Sequence, residues 1–266
     1  MRVEMATRPG TADVANEDYV SAALPASGLG GALVVLDGVT PPPDGGGCVH
    51  GVPWYTARLG AALLELSGSR RDMTLAQCLA HAIALTAARH ASTCDLSHPR
   101  TPQATVVVAR WDGESVEHLV LCDSVLLVES PHGEVTPVLD DRLDLLRPTV
   151  RGLPTAAERA AGIEALRNAE GGFHTAAADP AVADRAVTGA TPRARVRTLA
   201  ALTDGAARWS DVFRLGDWTA LCAALRDRGP AAVIERVRAA EAADPRGTAH
   251  PRGKAHDDAT AALVEF

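Results

Sequence analysis

The sequence predicts an α+β layered fold, and three observations carry that prediction. Strand-like and helix-like stretches come in blocks, without the regular alternation that marks a doubly wound parallel sheet. Apolar residues make up 47% of the 266, enough to bury a sizeable core in a single domain spanning 1–266. Four acidic clusters, Glu17-Asp18, Asp37-Gly38, Asp204-Gly205 and Asp257-Asp258, each border a strand-like run, so paired strands would bring carboxylates together at their ends.

The elements follow in order. Residues 1–7, 19–24 and 31–37 read as short strands broken by Pro9-Gly10 and by the turn-rich stretch 25–30. A proline- and glycine-rich loop covers 40–51. Residues 54–66 and 75–92 repeat apolar side chains at helical spacing and predict a helix pair, with Gly68 and Ser69 ending the first. Residues 105–111, 117–122 and 125–129 are rich in Val and Leu and predict a three-strand meander, turned at Asp112-Gly113. Between 140 and 172 the pattern is short and helical, interrupted by Pro148 and Pro154, and reads as an inserted flap. A strand-like stretch at 173–178, a short helix at 181–188 and a strand at 196–203 come next. Helices at 218–228 and 231–243 are separated by Gly229-Pro230, and 259–266 is the last strand.

Composition narrows the function. A formal charge of −7 argues against a nucleic-acid footprint, which needs a basic face, and suits an acidic metal site. The five cysteines form no CxxC pair and are odd in number, so neither a zinc knuckle nor a disulfide framework is expected. His81 and His90 are expected in a helix without a ligand-type partner four residues on. With Glu4 interrupting the start and no apolar run near the ~20 residues of a membrane span, the expectation is a cytoplasmic protein without membrane partners.

A lone Asp-Gly is most often a turn. Here Asn16-Glu17-Asp18, Val35-Leu36-Asp37-Gly38, Cys122-Asp123-Ser124, Leu202-Thr203-Asp204-Gly205 and Asp257-Asp258-Ala259-Thr260 occur in one order, with a helix pair and strands between them. Together these motifs resemble those of the metal-dependent protein phosphatase 2C family, in its bacterial type, over almost the whole chain. The resemblance implies a four-layer αββα sandwich, two antiparallel sheets flanked by helices, with a binuclear Mg²⁺ or Mn²⁺ centre at one end. It implies that Asp37 bridges both ions, that Asp204 and Asp257 complete one, and that Glu17 and the Gly38 carbonyl hold the other. Asp18 would orient waters from just outside the ligand set, and Asp123 would face a weaker third metal position. Hard oxygen donors are what Mg²⁺ and Mn²⁺ take. Two such ions, roughly 3.5–4 Å apart, lower the pKa of a water and clamp the oxygens of an in-line displacement at phosphorus. Hydrolysis would need no protein nucleophile, and Cys122, ending an apolar strand, is expected to be a buried structural residue.

Departures from the family pattern concern the substrate. Asp13 stands where relatives carry an Arg that grips the phosphate, and Arg2 or Arg8 is the candidate replacement. Asp258 stands where Asn is usual and is expected outside the ligand set or in solvent. Val39-Thr40-Pro41-Pro42-Pro43 remodels the rim, leaving His50 as a candidate general acid by sequence proximity, and Arg208 replaces a later Asp. Three functions follow. The leading one is a phosphatase acting on phosphoserine or phosphothreonine of a protein. The others are a phosphatase of the same fold for a small phosphorylated metabolite, and a non-catalytic regulatory or binding module. Retained carboxylates argue against the last, because clustered acids cost stability unless metal occupies them.

Overall fold

The computed structural model describes residues 1–41 and 46–266; the middle of the proline- and glycine-rich loop, 42–45, lies outside the described residues. Two five-stranded sheets form the centre. One has the order β1 (Arg2–Arg8), β10 (Ala259–Glu265), β9 (Thr198–Leu202), β6 (Val125–Glu129), β7 (Val135–Val138). The other has the order β2 (Tyr19–Ala23), β3 (Gly31–Gly38), β4 (Ala104–Trp111), β5 (Ser115–Leu121), β8 (Val187–Pro192). Every pairing is antiparallel.

The four layers follow from strand periodicity, because alternate residues point to opposite faces. Leu33, Val35, Val107 and Ala109 meet Leu126, Leu199, Ala201 and Val264 between the sheets. Their neighbours Val34, Leu36, Val106 and Val108 pack against α1 (Val52–Ser69) and α2 (Leu75–Ala88). On the other side, Leu127, Leu202 and Leu263 pack against α5 (Asp204–Asp211) and α6 (Trp218–Ala243). Burial on both faces is why these strands read as continuous apolar runs. Helix α2 starts at a capping box in which Thr74 and Gln77 exchange hydrogen bonds. Two helices, α3 (Arg142–Arg151) and α4 (Ala156–Leu166), occupy the segment expected to be helical. Helix α6 is kinked at Gly229, whose φ of +81° only glycine adopts readily, just before Pro230. No helix among the described residues is long and apolar enough to cross a membrane.

The expected meander is corrected. β4 and β5 pair, but β6 belongs to the opposite sheet, and the chain crosses between sheets at Cys122-Asp123-Ser124. The crossing is tight: Cys122 has φ +67° and donates its amide to Asp140 Oδ2 at 2.8 Å. Cys122 is buried, as expected of a structural thiol. Residues 173–178 form no strand and touch the sheet through a single Ala104–Ala176 bridge. The short helix expected at 181–188 is a 3₁₀ turn, Pro180–Arg185, and the chain then enters edge strand β8. Pro192 and Pro137 are tolerated because both lie on edge strands. The strand at Val135–Val138 and the helix at Asp204–Asp211 were not expected.

Candidate metal centre

Strand ends position the acidic clusters. Asp37 pairs with Thr105 near the end of β3, Asp204 follows β9 in the first turn of α5, and Asp257 precedes β10. Glu17 and Asp18 precede β2, and Asp123 lies in the crossing between sheets. These distant segments meet. Burial pushes Asp37 well above the usual carboxylate range, and the nearby charges of Asp18, Asp204, Asp123 and Asp257 add to that effect. Burial likewise raises Asp204 to about 7, with Asp123 and Asp257 contributing, and Asp18 to about 8, against hydrogen bonds from Thr260 and Thr203.

Each acid is held by its own support. Asp18 Oδ2 accepts from Thr260 Oγ1 at 2.7 Å and Thr203 Oγ1 at 3.0 Å, while its buried Oδ1 has no hydrogen-bond partner. Glu17 Oε2 accepts from Thr40 Oγ1 at 2.6 Å, and burial raises the pKa of this acid also. Gly38 lets Glu17 approach: a Cβ there would sit 2.6 Å from the Glu17 carbonyl oxygen and 2.4 Å from Val52. Asp258 is neither in solvent nor idle, since its oxygens accept the Gly10 and Glu17 amides, both at 2.7 Å. It therefore fixes the backbone that presents Glu17.

Oxygen donors on several rigid elements, four acids raised by burial and by one another's charge, and an unpartnered buried carboxylate oxygen together fit hard divalent cations.

Comparison with solved structures agrees with the architecture. The Staphylococcus aureus serine/threonine phosphatase Stp1 superposes with a TM-score of 0.60 over 99% of this chain and 94% of its own, at 13% identity. The Mycobacterium tuberculosis serine/threonine phosphatase PstP/Ppp gives 0.61 over 100% and 98%, at 16%. The PstP catalytic domain in complex with two manganese ions gives 0.59 over 99% and 97%, at 17%. The fold is that of the bacterial serine/threonine phosphatases. No protein-family model and no curated protein matches the sequence.

Within this phosphatase fold, the surroundings of the acids differ from expectation. Arg2 cannot serve the site, because it pairs with Glu265 at the far end of β10 from Asp257. Arg8 lies at the correct end, exposed, donating to the Thr7 carbonyl. Nearer cations come from segments to which sequence reasoning gave no role. Lys254, the sole lysine, places Nζ 2.7 Å from Asp257 Oδ1 and 3.0 Å from Thr40 Oγ1. Arg147 of α3 donates to Asp123 Oδ2 at 2.8 Å. Arg208, in place of the expected acid, is buried and bridges Asp257 Oδ2 at 3.0 Å to the fully buried Glu241 at 2.6 Å. Glu241 also accepts from Arg238 and faces His256 Nδ1 at 2.9 Å. Losing a partner of such a buried pair costs about 3–5 kcal/mol, so Arg208 both anchors Asp257 and is itself fixed. The signal available in sequence was the uniqueness of Lys254.

His50 is corrected as general acid. Its Nδ1 faces Cys94 Sγ at 3.4 Å and Cys48 Sγ at 3.6 Å, and its ring stacks on Trp54. The expectation for His90 also fails, because Cys94 is its partner four residues on.

Proposed function

We propose that this chain is a Mg²⁺- or Mn²⁺-dependent phosphomonoester hydrolase whose substrate is phosphoserine or phosphothreonine on a protein. The observation that carries the reading is the convergence of Glu17, Asp18, Asp37, Asp204 and Asp257 from four separate segments, with burial and mutual repulsion raising four of them. Glu17, Asp37, the Gly38 carbonyl, Asp204 and Asp257 would hold two ions, and Asp123 a weaker third. When bound, such ions supply a lowered water pKa and positive charge for the phosphoryl oxygens.

The protein's own part is positioning. Asp258 sets the Glu17 backbone, Thr40 orients its carboxylate, Arg208 fixes Asp257, and Thr203 with Thr260 leave Asp18 Oδ1 free to accept a proton or a water hydrogen bond. Lys254, about half exposed, takes the place of the missing arginine as the cation that faces the phosphate. A phosphoryl group carries its charge on peripheral oxygens, so this positioning and electrostatic stabilisation make up most of the catalytic contribution.

The exposed Asp13 in place of the family's arginine, together with the altered proline-rich loop, favours a second reading at the same centre, a small phosphorylated metabolite as substrate. Hydrolysis of an aryl phosphate and of a phosphothreonine peptide with added Mn²⁺ separates the readings. Turnover of both, abolished in Asp37→Asn and Asp204→Asn, is the expected result. Turnover of the aryl phosphate alone would move the substrate to the metabolite class, and metal-dependent turnover of neither would end both readings.

A further inference from the structure

Away from the carboxylates, a second cluster is built from softer atoms. Cys48 and His50 lie in the loop that leads into α1; His90 and Cys94 lie in the turns that continue α2. One ligand-type atom from each of the four residues lies within 4.8 Å of the other three. Cys48 Sγ stands 3.0 Å from Cys94 Sγ, 3.4 Å from His90 Nδ1 and 3.6 Å from His50 Nδ1. Cys94 Sγ stands 3.4 Å from His50 Nδ1.

Local structure explains the convergence. Cys94 donates its amide to the His90 carbonyl at 3.0 Å, closing one helical turn that sets both side chains on one face. On the opposing loop, the His50 amide donates to Cys48 Sγ at 3.4 Å. The Asp95 amide donates to the Gly47 carbonyl at 2.7 Å and joins the two segments next to the cluster. His90 is 1% exposed, and Trp54 stacks on His50 with ring centroids 4.1 Å apart, shielding the other side.

We propose that Cys48, His50, His90 and Cys94 form a structural zinc site. Tetrahedral zinc, with bonds of about 2.3 Å to sulfur and about 2.0–2.1 Å to nitrogen, spaces sulfur from nitrogen by about 3.6 Å and sulfur from sulfur by about 3.8 Å. The sulfur–nitrogen distances match within about 0.2 Å. The two sulfurs are closer than a metal-spanned pair and well beyond the ~2.05 Å of a disulfide. Two thiolates and two imidazoles are the donor set that selects zinc over Mg²⁺ or Mn²⁺, and four protein ligands leave no open position for catalysis. Both thiols bind as thiolates, so their protons pass to solvent as the metal enters.

The site's place gives it a purpose. The stapled loop is the return of the rim that begins at Gly38 and Thr40, and Thr40 touches both Glu17 and Lys254. Beyond Cys94 the chain reaches Arg100, whose Nη2 donates to the Thr40 carbonyl at 3.1 Å, and Gln103, whose carbonyl accepts the Val39 amide at 2.9 Å. Zinc would tie the return end of this rim, at Cys48 and His50, to the end of α2, from which the chain runs on to Arg100 and Gln103 at the other end.

Metal analysis and intact mass of the desalted protein, purified without chelator, test the assignment. One zinc per chain is expected in the parent and in Asp37→Asn/Asp204→Asn, with at least a tenfold loss in Cys48→Ser/Cys94→Ser. Equal zinc in the cysteine variant, or zinc lost with the carboxylates, would overturn the site. So would a zinc-free parent whose mass is lower by two hydrogens, the mark of a Cys48–Cys94 disulfide. Should the cysteine variant fail to fold, Co²⁺ added to metal-depleted parent gives the same decision. Thiolate-to-cobalt charge transfer with intense four-coordinate visible bands supports the site, and a weak six-coordinate spectrum alone refutes it.

Discussion

The carboxylate centre and the Cys/His cluster are both suited to metal, yet they are built in opposite ways. The first draws oxygen donors from strand ends far apart in sequence, inside a rigid sandwich, where the acids repel one another and strain toward protonation. The second draws sulfur and nitrogen from one loop and one helix end, outside the sheets, with donors already hydrogen-bonded to each other. Repulsion in the first region is what bound cations would relieve. Mutual satisfaction in the second is the mark of a staple.

The largest effect that sharpens this contrast is on catalysis. Asp37→Asn is expected to lower Mn²⁺-dependent aryl phosphate turnover by about 100-fold or more, on the scale of losing a principal electrostatic group, while leaving zinc content unchanged. Steady-state kinetics with metal analysis on the same sample checks both halves. Next in size, Lys254→Ala is expected to raise KM for a phosphomonoester roughly tenfold, the value of one charge-assisted hydrogen bond, with kcat less affected. An unchanged KM would remove Lys254 from the phosphate pocket.

The staple gives a third, thermodynamic effect. Cys94→Ser should lower Tm by about 5–10 °C, since a bound ion contributes about 2–3 kcal/mol and a domain of this size moves roughly 2–4 °C per kcal/mol. Calorimetry with and without zinc would measure it. The fourth effect is a slope. Asp18 near 8 and Asp204 near 7 bind protons in the folded state that the unfolded chain, with carboxylates near 3.8, has released. Folded protein therefore holds the excess protons, and without Mn²⁺ or Mg²⁺ its stability falls as pH rises from about 4 to 8. Saturating Mn²⁺ should flatten or reverse that slope, because the ion takes the protons' place. Thermal melts at pH 5, 6, 7 and 8 with zinc held constant read the difference.

The two regions also differed in how far the sequence disclosed them. Asp37-Gly38 and Asp204-Gly205 were legible because each follows an apolar run, so the side chain's place at a strand end is fixed by the strand itself. The α+β layering was legible from the blocks of strand-like and helix-like runs, and the four-layer sandwich came from the resemblance that the ordered motifs carry. Strand allegiance was not legible: the run at 125–129 resembles its neighbours, and only the left-handed Cys122 and its Asp140 anchor send it to the other sheet. Edge strands β7 and β8 carry prolines and exposed faces, so they lack the apolar signature of the central ones. The Cys/His cluster was hidden by distance, since His50 and His90 are brought together only by the α1–α2 hairpin. The His90-Cys94 spacing was readable in the sequence; what it faces was not. Arg208 and Lys254 were legible as residue types, but their grip on Asp257 depends on Glu241 and Thr40, which arrive from α6 and the rim loop.

One chain would thus carry two metal sites of opposite chemistry. Anomalous difference maps from one crystal soaked in Mn²⁺, recorded at the manganese and zinc absorption edges, test it most directly. Manganese peaks among Glu17, Asp37, Asp204 and Asp257, with one zinc peak between Cys48, His50, His90 and Cys94, are the predicted result. A crystal with no manganese among the carboxylates, or with no zinc at the four soft ligands, would contradict it.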